Sequence, residues 1–334
     1  MFENSVILVT GGTGSWGREL VTQLLPHNPK KIIIYSRNES SQVKMERELK
    51  EPRLSFCIGD IRDQEALIAA CRGVDYVFHL AALKHVNICE EQPVEALKTN
   101  IIGTQNVIDA AAVNGVKKVV NISTDKAADP VNFYGMTKAI AEKLMIYANT
   151  IHTGTRFVSV RGGNILGSSG SVLQLFINQL KETGQIEITD REMVRFFMTT
   201  QSATELVLTA AKEGKGGEIF VLMMDACKIM DLAEVLIEAY GIKDAKIVHI
   251  GTRPGEKLAE ILLSEYESRH AVIYNNRYFV VLPEIEIPGL RNTYASYPSE
   301  HIKKYVSAAN LMSKQEIRQK LEDGGFISAR EMNS

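Results

Sequence analysis

Four consecutive apolar residues, Val6-Ile7-Leu8-Val9, run straight into Thr10-Gly11-Gly12-Thr13-Gly14-Ser15-Trp16-Gly17, and few folds accept that succession. A short apolar run without alternation suits a strand buried on both faces, as in a parallel sheet. The Gly-x-x-Gly-x-x-Gly then reads position by position. Gly11 allows a tight turn, Gly14 lets the backbone approach a pyrophosphate, and Gly17 lets the next helix lie close to the sheet. Arg18 to Leu25 carries apolar residues at helical spacing, and Pro26, Asn28 and Pro29 stop it. A glycine-rich loop alone can be a mere hairpin turn. Strand, loop and helix in this order favour a dinucleotide site, with Gly11, Thr13, Gly14, Ser15, Trp16 and Gly17 against the cofactor.

Strand-like and helix-like segments go on alternating, so the expected fold is α/β, a Rossmann-type doubly wound parallel sheet. Lys31 to Tyr35 is the second strand, and an NAD site commonly places a carboxylate near its end, about 20 residues on from the glycines. Here Ser36 and Arg37 stand instead. A guanidinium fork suits a ribose 2′-phosphate, which favours NADP over NAD. Arg37 merely closing the strand in solvent is the alternative, and Glu39 is the acid that would reverse the choice. Leu54 to Ile58 leads to Asp60 and Ile61, and Asp75 to Leu80 leads to Ala81 and Ala82. Both strand ends should lie along the cofactor, Asp60 by the adenine and the small alanines by the ribose and diphosphate.

A helix from about Pro93 to Asn114 feeds the strand Lys117 to Ile122, and Ser123-Thr124-Asp125-Lys126 follows where that strand ends. Open parallel sheets bind ligands at the carboxyl ends of their strands. Eight residues on comes Tyr134-x-x-x-Lys138, a spacing that puts both side chains on one helix face. A tyrosine whose proton is loosened by a nearby ammonium and by a nicotinamide's positive charge is a base for an alcohol, so hydride removal from a hydroxylated carbon becomes feasible. A surface ion pair on a turn is the alternative for Asp125-Lys126, and the strand-end position and Tyr134 argue against it.

At 334 residues the chain is long for one core, and a nucleotide domain with a smaller partner is expected. The formal charge of −2 is interspersed, without a nucleic-acid footprint or a membrane tether. No apolar stretch approaches the ~18 residues of a membrane helix, and no basic-then-apolar signal pattern opens the sequence, so a soluble cytoplasmic protein is expected. Cys57, Cys71, Cys89 and Cys227 form no Cys-x-x-Cys, and the seven histidines form no ligand pair; neither a disulfide framework nor a metal is expected.

Together, Thr10 to Gly17, Thr124-Asp125-Lys126 and Tyr134-x-x-x-Lys138 resemble the extended short-chain dehydrogenase/reductase superfamily. Gly59 to Asp63, Ala81 to Val86, Ser123 to Ala128, Arg161-Gly162-Gly163-Asn164 and Gly251 to Lys257 narrow the resemblance to the UDP-N-acetylglucosamine 4,6-dehydratases of bacterial surface-sugar pathways. It covers most of the chain to about Ser268. Sugar-nucleotide dehydratases of the wider superfamily carry Asp-Glu where this chain has Asp125-Lys126, and simple 4-epimerases lack the pair.

The resemblance implies a catalytic set of Thr124, Asp125, Lys126, Tyr134 and Lys138, with Tyr134 and Lys138 also touching the cofactor. Tyr134 takes the 4-hydroxyl proton as hydride leaves C4. Lys126, if neutral, removes the C5 proton, and Asp125, if protonated, donates to the departing C6 oxygen. It also places Asn164 and a clamp of Arg195 and Arg253 on the substrate diphosphate, Thr189 at the uracil and Glu256 on the ribose, with Lys84 beside the sugar. Lys84 as a solvated helix-start residue, and Arg253 paired with Glu256 at the surface, remain alternatives. The expected division is a cofactor domain over 1–163, joined by a returning strand near 218–222, and a sequence-interleaved C-terminal substrate domain over 164–334. Ser202 to Glu205 and Asp231 to Glu234 resemble capping boxes. A homo-oligomer is implied; a UDP-hexose 4-epimerase and a non-catalytic NADP-binding regulator are the competing functions.

Overall fold

The computed structural model describes residues 1–168, 170–242, 244–299 and 302–328. Its frame is a nine-stranded sheet. Six of the strands are β1 (Val6–Thr10), β2 (Lys31–Ser36), β3 (Leu54–Ile58), β4 (Tyr76–His79), β5 (Lys118–Thr124) and β6 (Arg156–Gly162), in spatial order 3-2-1-4-5-6. All of these pair in parallel, so both faces need covering; Ile7, Leu8 and Val9 of β1 are 0% exposed. The order reverses between β1 and β4, which opens a crevice at their carboxyl ends.

The strand Ile219–Leu222 does return to this sheet, parallel to β6. Beyond it an antiparallel hairpin, Ala271–Tyr274 with Tyr278–Val281, forms the edge. Three small sheets lie outside the main one, among them Gln185–Ile188 with Lys246–His249. A second apolar core, including Phe176, Leu180, Ile186, Leu232 and Leu236, draws residues from the strand Gln185–Ile188 and from the helices Val172–Thr183 and Ile229–Tyr240.

The glycine loop is built on close approaches. Gly11 has φ +70°, and a Cβ there would stand 2.8 Å from the Ala81 nitrogen; a Cβ at Gly17 would stand 2.6 Å from the Gly11 carbonyl oxygen. Both obstacles are backbone. Gly17→Ala is therefore expected to cost about 1–3 kcal/mol of stability through overpacking, read as a lower urea midpoint at unchanged slope. A midpoint equal to the parent's would show that the loop yields.

Two local expectations are corrected. The helix expected over 93–114 is interrupted: Pro93–Leu97, then a π-helical stretch Lys98–Ile102, then Gly103–Val113. Neither Ser202 nor Asp231 caps a helix. Thr199 does so for Thr200–Glu213, its hydroxyl accepting from the Ser202 N–H, while Ile229–Tyr240 starts after Lys228 without a side-chain cap and Asp231 sits in its first turn. Capping boxes occur instead at Ser264/Glu267 and Ser313/Glu316.

Arg161, 1% exposed on β6, donates to Glu142 (3.1 and 2.6 Å), to Glu267 (3.0 and 2.8 Å) and to the Leu262 carbonyl (2.9 Å). The buried charge is thus paired on every side, and it ties the helix Phe133–Ile151 to the segment around Leu262.

Candidate functional site

A cavity of about 940 Å³ opens over the carboxyl ends of these strands. The glycine loop forms one end of its wall, through Gly11, Thr13, Gly14, Ser15, Trp16 and Gly17. Ser36, Arg37, Asp60, Ile61, Ala81 and Ala82 continue that wall from the ends of β2, β3 and β4. Thr124, Lys126, Tyr134 and Lys138 line its middle; Lys84, Asn164, Thr189, Arg195, Arg253 and Glu256 line the remainder. Asp125 does not reach the wall. It is 1% exposed, one layer behind, with Oδ1 accepting from the Thr124 hydroxyl (2.8 Å) and the Lys126 ammonium (3.0 Å).

The wall's chemistry fits a dinucleotide. At Gly14 an added Cβ would meet nothing nearer than the Gly11 oxygen at 3.4 Å, so the loop backbone is open to a close ligand. The helix Ser15–Leu24 that follows has no acid in its first turn and no side-chain cap, leaving its amides and dipole for an anion. The Trp16 indole N–H is buried with no partner among the described residues. At the β2 end, Asp60 is taken up by Arg62, whose Nε and Nη2 donate at 2.9 and 2.6 Å, while Arg37 lies 3.9 Å off with its side chain 55% exposed. The Asp60 carboxyl is thereby held below its usual range: burial works against this, and the Arg62 hydrogen bonds outweigh it.

Tyr134 and Lys138 do share one face of the helix Phe133–Ile151, which starts on an Asn132 cap accepting from the Gly135 N–H at 2.8 Å. Their electrostatics differ from expectation. Burial pushes Tyr134 up to about 12, and the leading group pulling it back is Lys126, not Lys138, helped by a hydrogen bond with Thr124. Lys138 is itself pushed down to about 8 by burial, offset in part by Glu142. The neutral Lys126 is corrected too. Burial disfavours its charge, but Asp125 at 3.0 Å and Glu260 at 3.2 Å together hold the ammonium well above its ordinary value.

Glu260 is the site residue that the motifs missed. It is 2% exposed and lines the cavity, and nothing in Lys257-Leu258-Ala259-Glu260 distinguishes it from a solvated acid. Arg195 is buried beside it, 3.7 Å from both Glu260 and Glu256, and donates to the Val194 and Leu258 carbonyls at 2.9 and 3.3 Å. Arg253 is exposed, and among the described residues it forms no ion pair with Glu256; its N–H donates to that carboxylate at 3.2 Å. The Thr189 hydroxyl contacts the Met193 sulfur at 3.3 Å. The loop bearing Arg253 and Glu256 docks on the turn before Tyr134: Asn132 Nδ2 donates to the Gly255 carbonyl at 2.9 Å, and Lys257 donates to the Asp129 carbonyl.

Strand order, glycine loop and the Tyr134/Lys138 helix define a Rossmann-type α/β protein of the short-chain dehydrogenase/reductase kind. The dTDP-glucose 4,6-dehydratase of Streptomyces venezuelae, solved with NAD bound, superposes with a TM-score of 0.70 at 26% identity, over 76% of this chain and 86% of that one. Residues 7–282 match the model of the polysaccharide biosynthesis protein family, and the chain belongs to that family. A UDP-N-acetylglucosamine 4,6-dehydratase (inverting) of Campylobacter jejuni is 44% identical over 299 residues, 88% of each chain. A UDP-glucose 4-epimerase of Rickettsia akari is 41% identical over 329 residues, 97% of this chain and 95% of its own.

Proposed function

We propose that the protein is an NADP-dependent hydro-lyase, a UDP-N-acetylglucosamine 4,6-dehydratase that forms a UDP-4-keto-6-deoxy-N-acetylhexosamine. The observation that carries this reading is the hydrogen bond of 3.0 Å between Asp125 and Lys126, with Lys126 lining the cavity beside Tyr134 and Asp125 directly behind it. Bound along the glycine loop, the nicotinamide would take a hydride from C4 and return it to C6. The Tyr134 phenolate, which Lys126 and Thr124 favour, takes the 4-hydroxyl proton and becomes the neutral phenol. The resulting ketone acidifies C5–H. Shifting one proton from Lys126 Nζ to Asp125 turns the resting ion pair into an amine and a carboxylic acid without changing the proton count, so the pair becomes a base and an acid. Nζ then takes the C5 proton. Asp125 touches the cavity only through Thr124 and Lys126, so its proton reaches the C6 oxygen along one of those hydrogen bonds, and water leaves.

On this reading the sheet half, residues 1–163 with the returning strand, holds the cofactor, and residues 164–334 supply most of the sugar-nucleotide side. Arg195, Arg253, Glu256, Asn164, Thr189 and Lys84 stand on that side of the cavity. A cytoplasmic location accords with the absence, among the described residues, of any helix long and apolar enough to cross a membrane. A homo-oligomer accords with Met136, Ile140, Tyr147 and Ile151, which are exposed along one side of the Tyr134 helix.

The epimerase-named relatives support a second reading, 4-epimerisation of a UDP-hexose through the same C4 oxidation. Incubation with UDP-N-acetylglucosamine in heavy water separates the two. A product lighter by one water and carrying deuterium at C5 supports the dehydratase; an isomer of unchanged mass overturns it.

The choice of NADP rests on Arg37, whose fork is left available by the Arg62–Asp60 pairing. Arg37→Ala is expected to weaken NADP binding by at least about tenfold, the worth of a charge-assisted contact, and to leave NAD binding nearly unchanged. Titration of the fluorescence of Trp16, the single tryptophan, reads both. Equal losses for the two dinucleotides would refute a 2′-phosphate contact.

A further inference from the structure

Glu260 is a buried acid to which neither the motifs nor the proposed mechanism gives a task. Its Oε1 lies 3.2 Å from Lys126 Nζ and 3.7 Å from Arg195 Nε. Its Oε2 is buried without a partner among the described residues. The backbone around it is locked, because Ser307 Oγ accepts from its N–H at 2.9 Å and its carbonyl accepts from the Ser307 N–H at 2.9 Å. A buried carboxylate is expensive unless it is paired, and Glu260 is paired with both Lys126 and Arg195.

We propose that Glu260 is a positioning residue that holds the Lys126 amine together with Asp125 and fixes the pH range over which the pair keeps its shared proton. The inference rests on the dehydratase reading and deepens it. Lys126 has four charged or titratable groups facing it: Asp125 on its own turn, Glu260 from the segment before Ile261–Leu263, Arg195 from the strand Val194–Met198, and Tyr134 from the helix. Asp125, hydrogen-bonded to Lys126 and to the Thr124 hydroxyl, is the acid that exchanges a proton with Lys126 in this mechanism. Glu260, at 3.2 Å, favours the ammonium and delays loss of that proton as pH rises. It also explains how a lysine can serve where the wider superfamily has a glutamate: the second carboxylate is supplied from a distant part of the chain.

The test uses the full chain with its bound cofactor. Glu260→Gln keeps the shape and removes the charge; Glu260→Asp keeps the charge. The readouts are the pH dependence of kcat for water loss, deuterium entry at C5, KM, and single-turnover C4 oxidation followed by reduced-cofactor absorbance. Losing one opposite charge at this distance should move the alkaline limb of kcat down by at least about one pH unit in Glu260→Gln. The limb returns toward the parent's in Glu260→Asp, while KM and C4 oxidation stay within about threefold. An unmoved limb overturns the proposal. So does an equal change in C4 oxidation, or loss of the fold in both variants, either of which makes Glu260 structural. Lys126→Met separates this from the parent reading: if that variant still releases water at the wild-type rate, the error lies in the dehydratase mechanism and not in Glu260 alone.

Discussion

Tyr134→Phe is expected to reduce turnover by about 10²–10⁴-fold, the range that a positioned proton acceptor contributes. The substitution removes one oxygen and keeps the ring, so the urea midpoint should stay near the parent's. The loss should appear in the first chemical event, with no reduced-cofactor absorbance in a single turnover. The pH sense follows from the site. Burial outweighs Lys126 and Thr124 and holds Tyr134 at about 12, so it would be a poor base at neutral pH without the nicotinamide's positive charge beside it, and wild-type C4 oxidation should rise with pH as the phenol ionises. That rising limb disappears in the phenylalanine variant. If the variant oxidises C4 at the parent's rate, another group takes the hydroxyl proton and the assignment fails.

Asp125→Asn should produce the opposite pattern. C4 oxidation continues and reduced cofactor accumulates, while water loss falls by at least about 10²-fold because no acid remains for the C6 oxygen. The variant also takes one carboxylate from Lys126, leaving Glu260 as its remaining acidic neighbour at 3.2 Å, so the amine should lose its proton at lower pH than in the parent. Quenched reaction mixtures analysed by mass should contain a 4-keto hexose that retains its 6-hydroxyl. Dehydrated product at the parent's rate would remove Asp125 from the mechanism.

The sheet half was legible because its constraints are local. An apolar run, three glycines at fixed spacing and a helix start can all be read from adjacent residues, and β1 to β6 lie where those patterns put them. The site was legible as a set of positions, since ends of parallel strands converge by topology. Its charge states were not. Whether Lys126 is neutral depends on Glu260, brought across from a distant segment, and no local pattern marks that acid as buried. The depth of Asp125 behind the wall and the distribution of cations around Tyr134 are likewise products of packing.

The helix starts teach a narrower lesson. Ser202 to Glu205 has the capping-box letters, but Thr199 lies upstream in extended backbone and captures the Ser202 N–H first. At the sheet edge the signal is local: Asn275 and Asn276 adopt φ of 51° and 52°, a conformation that asparagine tolerates, and they turn the hairpin Ala271–Tyr274 to Tyr278–Val281.

Asn132 holds the first turn of the Tyr134 helix with its side-chain oxygen and the Gly255 carbonyl with its nitrogen. Grip and aim therefore hang from one amide. On the dehydratase reading, a substitution that shifts residues 253–256 would also move the mounting of the Tyr134 phenol.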